Sequence, residues 1–329
     1  MTEMVVGFPY SMFGVRCSGF GVRGREDEIE GKPGRDGPPE AGVPMMDLSV
    51  IIPTYNEEPN IRRSAEGVIS FLRGRDATWE LLLVDDGSRD GTLAIEQEIA
   101  RGEPRVRVLA HSPNRGKGYA VREGMLAAQG RLRLFLDADY STPIEEWEKL
   151  RPWLETDESV EEWGSESVKN QEEPGTAYAP TLSPSHAPTG VSPLRGGFDV
   201  AIGTRRVANA LIETKPPIHR YLLGELYVWL TSKLLGCHVS DYNCGFKAFR
   251  AEAADRLFRL QRRNDWSFDA EVLALAERLG YRIKEVPVRW AHAQATSKVK
   301  PIRDGIRSFL ALLRISRDLK RGKYGKLGV

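Results

Sequence analysis

Asp137 and Asp139 close the run Arg131-Leu-Arg-Leu-Phe-Leu-Asp-Ala-Asp139, and no other residues of this chain have so clear a chemical use. Leu134, Phe135 and Leu136 lead straight into the two carboxylates. A short apolar run that ends in charge reads as a buried strand emerging at a sheet edge. Parallel sheets hold their ligands at the carboxyl ends of strands. Two side chains that offer only oxygen suit a hard divalent ion, Mg²⁺ or Mn²⁺, shared with a phosphate. A D-x-D triplet is also common in plain turns. It gains weight here from a second acidic strand end, Leu81-Leu-Leu-Val-Asp85-Asp86-Gly87-Ser88.

Two further clusters have the composition of a nucleotide site. Pro53-Thr-Tyr55-Asn-Glu57 offers an aromatic ring and an acid that could grip a base and a ribose, and it also suits an ordinary strand-to-helix turn. After the second strand end, Gly87 permits a tight turn. One aspartate there can cap the next helix while the other accepts from a base or ribose. Asn114-Arg-Gly116-Lys117-Gly118 opens a helix. Its glycines let backbone N–H groups approach a phosphate, and a helix start favours anions. Taken alone the loop reads as a structural turn, and Lys117 is kept as a candidate ligand-binding residue. The loop is neither a P-loop nor a dinucleotide fingerprint, because the required spacing is missing.

These clusters need a scaffold. Strands are expected at Leu48–Ile52, Trp79–Val84, Val106–Ala110 and Leu132–Leu136. Helices are expected from Pro59 to Arg73, from an Asp90 N-cap to Ile99, and from Gly116 to Ala128. This alternation predicts an α/β fold with a doubly wound, mostly parallel sheet. Further strands are expected at Phe198–Ile202, Gly245–Phe249 and Arg282–Val288. Further helices are expected at Ile218–Gly236, Ala251–Leu260, Ser267–Leu279 and Pro301–Leu319. In the first of these, Leu222, Leu226, Trp229, Leu230 and Leu234 share one side.

Bulk properties set limits. The chain has 329 residues, 41% of them hydrophobic, which is enough for one sizeable core. A net charge of +1 gives no overall attraction to nucleic acid, and no such partner is expected. Charge is nonetheless segregated. Lys298 to Lys326 carries ten Lys/Arg against two Asp, and Glu155 to Gly197 carries eight acids against two bases. Three cysteines without metal spacing point to a reducing compartment. No run reaches the length of a membrane span, and residues 1–10 make a poor signal peptide. The expected organisation is a disordered extension over 1–46, a catalytic domain over 47–297 interrupted by a flexible 155–197 insertion, and a basic amphipathic helix and tail over 298–329.

Taken together, Asp-Asp-Gly-Ser, Asn-x-Gly-x-Gly and Asp-x-Asp resemble the family 2 glycosyltransferases, whose fold is called GT-A. The match runs from about Leu48 to Ala291. Ile202-Gly-Thr-Arg205, Val239-Ser-Asp241-Tyr-Asn-Cys-Gly245-Phe-Lys-Ala-Phe249, Trp266-Ser-Phe-Asp269-Ala-Glu271 and Ser297-Lys298 are similar to the polyprenyl-phosphate sugar transferases of that family. The resemblance implies that Pro53, Tyr55, Glu57 and Asp86 hold the nucleoside. It implies that Asp137 and Asp139 place a metal on the donor diphosphate, and that Asp241 is the candidate catalytic aspartate. Arg205, Arg220 and Lys298 match basic positions that meet donor or acceptor phosphates. His292 stands where the mannose branch carries an arginine, which favours glucose.

The implied reaction transfers a hexose with inversion from a nucleotide sugar, UDP-glucose favoured and GDP-mannose possible, to a polyprenyl phosphate of dolichyl or undecaprenyl type. A phosphate monoester is largely dianionic at pH 7, so Asp241 is expected to orient rather than to remove a proton. Ile306, Phe309, Leu310 and Leu313 share a helical face flanked by Arg303, Arg307, Arg314 and Arg317, the pattern of an interfacial helix or of a core helix with a basic outer side. A cytoplasmic location, peripheral at the membrane face, follows from the first option. The alternatives are transfer to a soluble or polysaccharide hydroxyl, mannosyl transfer, and a non-catalytic lipid- or nucleotide-binding protein.

Overall fold

The computed structural model describes residues 46–155, 197–207, 210–212, 218–291 and 301–325. Apart from Met46, Glu155 and Gly197, the expected N-terminal extension and acidic insertion lie outside the described residues. Seven strands form one sheet: β1 (Met46–Thr54), β2 (Trp79–Asp85), β3 (Val106–Ala110), β4 (Gly130–Leu136), β5 (Val200–Thr204), β7 (Phe246–Arg250) and β8 (Ile283–Pro287). Their order is β3-β2-β1-β4-β7-β5-β8. β7 alone runs against its neighbours β4 and β5; the other pairings are parallel. β6 (Leu211–Ile212) and β9 (Arg289–Trp290) form a separate parallel pair.

The period of two along each strand divides the core between the two faces of the sheet. Ile51, Leu82, Val84 and Phe135 face one layer with α3 (Lys117–Ala127), α6 (Ala251–Leu260) and α7 (Phe268–Arg278). Val50, Ile52, Leu81, Leu83 and Leu134 face the other, with α1 (Ile61–Arg73) and α4 (Trp147–Glu155). α2 (Thr92–Gly102) lies beside β3, α5 is Ile218–Leu235, and α8 is Pro301–Lys320. Because β1, β2, β4 and β5 run the same way, their carboxyl ends bring Thr54, Asp85, Leu136 and Thr204 to one edge. The amino end of antiparallel β7 joins them there.

The structure differs from the sequence reading at several element ends. β1 does not stop at Pro53 but pairs on through Thr54 with Asp85. α1 begins at Ile61 and not at Pro59, because the N–H groups of Asn60 and Ile61 both donate to the Glu57 carbonyl. α2 begins at Thr92 with Gly91 at the cap position. Asp90 still serves that helix, accepting from the Thr92 N–H at 3.1 Å. α4 is absent from the sequence reading. It is short, contains Pro152, and is held by buried Trp147, Leu150 and Leu154. On α5, Leu226 and Trp229 face solvent together with Leu223.

Candidate active site

The loops after β1 and β2 fasten to each other. Thr54 Oγ1 donates to Glu96 Oε1 at 2.7 Å, and the Asn56 N–H donates to Ser88 Oγ at 3.0 Å. Asn56 adopts a left-handed conformation (φ 53°) that a short polar side chain tolerates. Its Oδ1 accepts from the Arg89 N–H at 2.8 Å. Glu57 donates its N–H to Thr92 Oγ1 at 2.8 Å, and its carboxylate accepts from Asn60 Nδ2 at 2.8 Å. Pro53 is buried in the strand, and the Tyr55 ring is exposed at the rim. Glu96 is buried behind this turn. Burial pushes its carboxyl up to about 8, against the opposing effect of the Thr54 hydrogen bond.

Asp86 is gripped by the loop that follows β3. His111 Nε2 lies 2.6 Å from its Oδ1, and the Arg115 N–H donates to the same oxygen at 2.8 Å. Asn114 Nδ2 and the Gly116 N–H both donate to Oδ2 at 2.7 Å. A buried carboxylate with two partners on each oxygen shapes the β3–α3 loop. Gly87 makes the arrangement possible: its φ is +73°, and a Cβ there would meet the His111 and Asn114 backbone at 3.0–3.1 Å.

That loop delivers Lys117. Its Nζ lies 2.6 Å from Asp137 Oδ1. Burial opposes its charge, but Asp137, Asp269 and Asp139 together hold the ammonium above its ordinary value. Asp139 is mostly buried; burial and the neighbouring Asp137 raise its carboxyl, while its Oδ1 accepts from the Ser141 N–H at 3.0 Å. Beneath them lies a fully buried pair, Lys247 Nζ to Asp269 Oδ1 at 2.7 Å. Burial raises Asp269, opposed by Lys247 and Lys117. The cluster thus holds three acids and two lysines. Gly245 permits its density, because a methyl there would overlap the Asp137 carboxylate.

On the β5 side, Arg205 grips Asp241 in a fork. Nε donates to Oδ2 at 2.7 Å, Nη2 donates to Oδ1 at 2.8 Å, and the Arg205 N–H adds a bond to Oδ2 at 3.2 Å. Burial would raise Asp241, but Arg205 outweighs it and holds the carboxyl below its usual range. Arg205 is held above its ordinary value in return and feels Asp137 as well. Its guanidinium stands 5.2 Å from the Trp290 ring.

The described structure thus gathers Lys117, Asp137, Asp139, Arg205 and Asp241 at one sheet edge, with Tyr55 and Glu57 on the adjoining rim. Lys298 and the side chain of Arg220 lie outside the described residues. The sequence reading assigned no role to Lys247, Asp269, Gly245 or Glu96. A lysine between Phe246 and Ala248 in an otherwise apolar strand was the available signal for the buried pair.

The mostly parallel sheet, with an acidic pair and basic residues at its carboxyl edge, has the fold of the GT-A glycosyltransferases. Two solved structures share the fold. One is glucosyl-3-phosphoglycerate synthase from Mycobacterium tuberculosis in complex with Mn²⁺, UDP-glucose and phosphoglyceric acid (TM-score 0.50, 21% identity, 83% of this chain and 80% of that chain). The other is mannosyl-3-phosphoglycerate synthase from Rubrobacter xylanophilus (TM-score 0.53, 14% identity, 86% of this chain and 77% of that chain). The family pattern described as Glycosyl transferase family 2 matches residues 49–176. Among curated relatives, dolichyl-phosphate beta-glucosyltransferase of Drosophila melanogaster is 32% identical over 84% of this chain and 74% of its own length. The Saccharomyces cerevisiae protein of that name is 31% identical over 83% and 78%, and the Homo sapiens one 28% over 84% and 74%. The chain belongs to glycosyl transferase family 2 and is a glycosyltransferase.

Proposed function

We propose that this glycosyltransferase moves glucose from a nucleotide diphosphate sugar, UDP-glucose, to a polyprenyl phosphate with inversion. The observation that carries this reading is the Arg205–Asp241 fork facing the Asp137/Asp139/Lys117 cluster across the same edge. The similarity to dolichyl-phosphate beta-glucosyltransferases supports the choice of sugar and acceptor.

Chemistry assigns the residues. A phosphate oxygen of the acceptor attacks the anomeric carbon as the bond to the donor diphosphate breaks, and the nucleoside diphosphate leaves. The acceptor's second pKa is about 6, so it arrives at pH 7 already dianionic and needs no base. Asp241, held ionised with both oxygens engaged, positions Arg205, and Arg205 collects the anion. Lys117 stabilises charge developing on the leaving diphosphate. Tyr55 and Glu57 line the nucleoside side.

Asp137 and Asp139 fit a divalent ion of the Mg²⁺ or Mn²⁺ kind. Such ions take one or two protein carboxylates and complete their shell with phosphate and water. Among the described residues no group of three or more His, Cys, Asp or Glu forms a larger cage, and the cluster's acids outnumber its lysines by one. When bound, the ion supplies positive charge to the diphosphate.

A lipid acceptor requires a membrane surface. Leu223, Leu226 and Trp229 on α5, and Phe309, Leu310 and Leu313 on α8, are exposed on two helices that pack together; Ser316 Oγ donates to the Leu234 carbonyl at 2.9 Å. Arg307, Arg314, Arg317 and Lys320 surround the α8 stripe. Apolar stripes with a basic rim suit peripheral binding to anionic lipid, on the cytoplasmic face. No helix among the described residues is long and apolar enough to cross a membrane.

The test incubates the protein with UDP-glucose or GDP-mannose, Mg²⁺ or Mn²⁺, and a polyprenyl phosphate, and follows the sugar into the organic phase. UDP-glucose is expected to label the lipid, and chelation to suppress labelling. Label that stays with water-soluble acceptors would overturn the acceptor assignment.

A further inference from the structure

Trp266 is the most exposed of the large apolar side chains among the described residues, with 67% of its surface open. An exposed indole on a mobile loop would mean little, but this loop is built tightly. The N–H groups of Arg262 and Arg263 donate to Glu271 Oε2 at 3.0 and 2.8 Å. Gln261 Nε2 donates to the Gly118 and Arg263 carbonyls at 2.8 and 2.6 Å. The Tyr119 N–H reaches the Asn264 carbonyl at 3.3 Å, and the Ser267 N–H reaches Asp265 Oδ1 at 2.9 Å. Gly116 and Gly118 admit this loop against the start of α3, since a Cβ at either would overlap the Arg263–Asn264 backbone.

The held indole meets the site through Lys117. The Lys117 Nζ stands 4.6 Å from the indole centroid and 2.6 Å from Asp137 Oδ1. Carboxylate, ammonium and exposed indole therefore follow one another in steps of 2.6 and 4.6 Å, the ammonium standing over one side of the ring. A pyranose presents C–H groups on its face and hydroxyls at its rim. An aromatic surface takes the first, and a paired acceptor and donor take the second. A rigid aromatic loses little conformational freedom on binding.

We propose that Trp266 is the platform for the hexose of the donor, its indole stacking on the sugar ring while Lys117 and Asp137 meet the hydroxyls and diphosphate beside it. This rests on the donor reading given above. The ring belongs to the donor sugar because the sugar is joined directly to the diphosphate at Asp137 and Asp139. The first isoprene of the acceptor is the competing occupant.

Equilibrium binding of UDP-glucose and of UDP, each with Mn²⁺, separates these ideas in the wild type, Trp266→Ala and Trp266→Phe. Trp266→Ala is expected to weaken UDP-glucose about 3- to 10-fold and leave UDP unchanged. Trp266→Phe is expected to retain most of the affinity. Equal losses for UDP and UDP-glucose, or no loss in either, would overturn the platform. A raised KM for polyprenyl phosphate with donor binding intact would also overturn it and assign the indole to the acceptor chain. A wild type that binds neither nucleotide would remove the donor reading itself, a result distinguishable from every variant outcome. An unchanged thermal midpoint in Trp266→Ala, expected for an exposed side chain, excludes misfolding as the cause.

Discussion

Replacing Asp241 by Asn separates an orienting carboxylate from a proton acceptor. Asn keeps the shape but loses the charge and one acceptor oxygen. Of the three bonds that Asp241 accepts from Arg205, at 2.7, 2.8 and 3.2 Å, one guanidinium contact is lost and the others meet an uncharged acceptor. A hydrogen bond to a charged group contributes about 1.5–3 kcal/mol. Removing one partner of a buried pair costs about 3–5 kcal/mol. Arg205 retains a quarter of its side-chain surface, so water relieves part of its isolation. The expected cost is about 2–4 kcal/mol, shared between stability and catalysis. In turnover this is about a 10- to 100-fold fall in kcat/KM, with the KM for polyprenyl phosphate raised because Arg205 is no longer aimed.

A general base behaves differently. Loss of an essential base would collapse kcat at unchanged acceptor KM, and the pH profile would lose its acidic limb. Asp241 is a poor candidate for that task, since Arg205 holds its carboxyl below the ordinary range and both oxygens are taken. Steady-state kinetics on Asp241→Asn and Arg205→Lys, with thermal midpoints, decide the matter. Arg205→Lys keeps the charge and breaks the fork, so it should resemble Asp241→Asn. A near-normal Arg205→Lys beside an Asp241→Asn that loses kcat alone would refute the reasoning.

Three other perturbations follow from the same geometry. Gly245→Ala sets a methyl into the Asp137 carboxylate and should abolish turnover and weaken Mn²⁺ binding, read by titration calorimetry; activity within a few-fold of wild type would contradict the packing. Glu96 is neutral when folded up to about pH 8 but ionises near its ordinary 4.5 when unfolded, so the unfolded state holds fewer protons over that window and stability falls as pH rises through it. The slope is at most about 1.4 kcal/mol per pH unit, and Glu96→Gln should flatten it in urea titrations, with the largest gain over wild type near pH 8 and little difference near pH 4. Leu226→Ser with Trp229→Ser should reduce co-sedimentation with anionic vesicles while leaving UDP-glucose binding intact; undiminished sedimentation would move the membrane contact away from α5.

The scaffold was legible because its signals are local. Leu81 to Val84 is an unbroken apolar run ended by charge, and it forms a strand buried on both faces. Ala251 to Leu260 shows helical spacing, and it forms α6 with those bounds. Elements that depend on distant partners were not legible. α4 contains a proline and survives by packing Trp147, Leu150 and Leu154, while β6 and β9 are two residues each and exist only as a pair. The same division runs through the site. Asp137 and Asp139 announce themselves by type and neighbours, and Asp241 by the resemblance alone, but what each touches is decided across the fold. Asp86 meets His111 and Arg115 from another loop. Lys247 finds Asp269 across 22 residues of chain, and Gly245 matters only because Asp137 lies against it. The resemblance makes Asp86 a nucleoside contact and Asp241 the candidate catalytic aspartate, and in the structure both accept from protein nitrogens. Asp241 positions Arg205, and the loop that Asp86 anchors carries Lys117 next to Gly116. On the proposed reading Asp241 acts by aiming a cation, and a variant that moves Arg205 while leaving the acid intact is the sharper probe of mechanism.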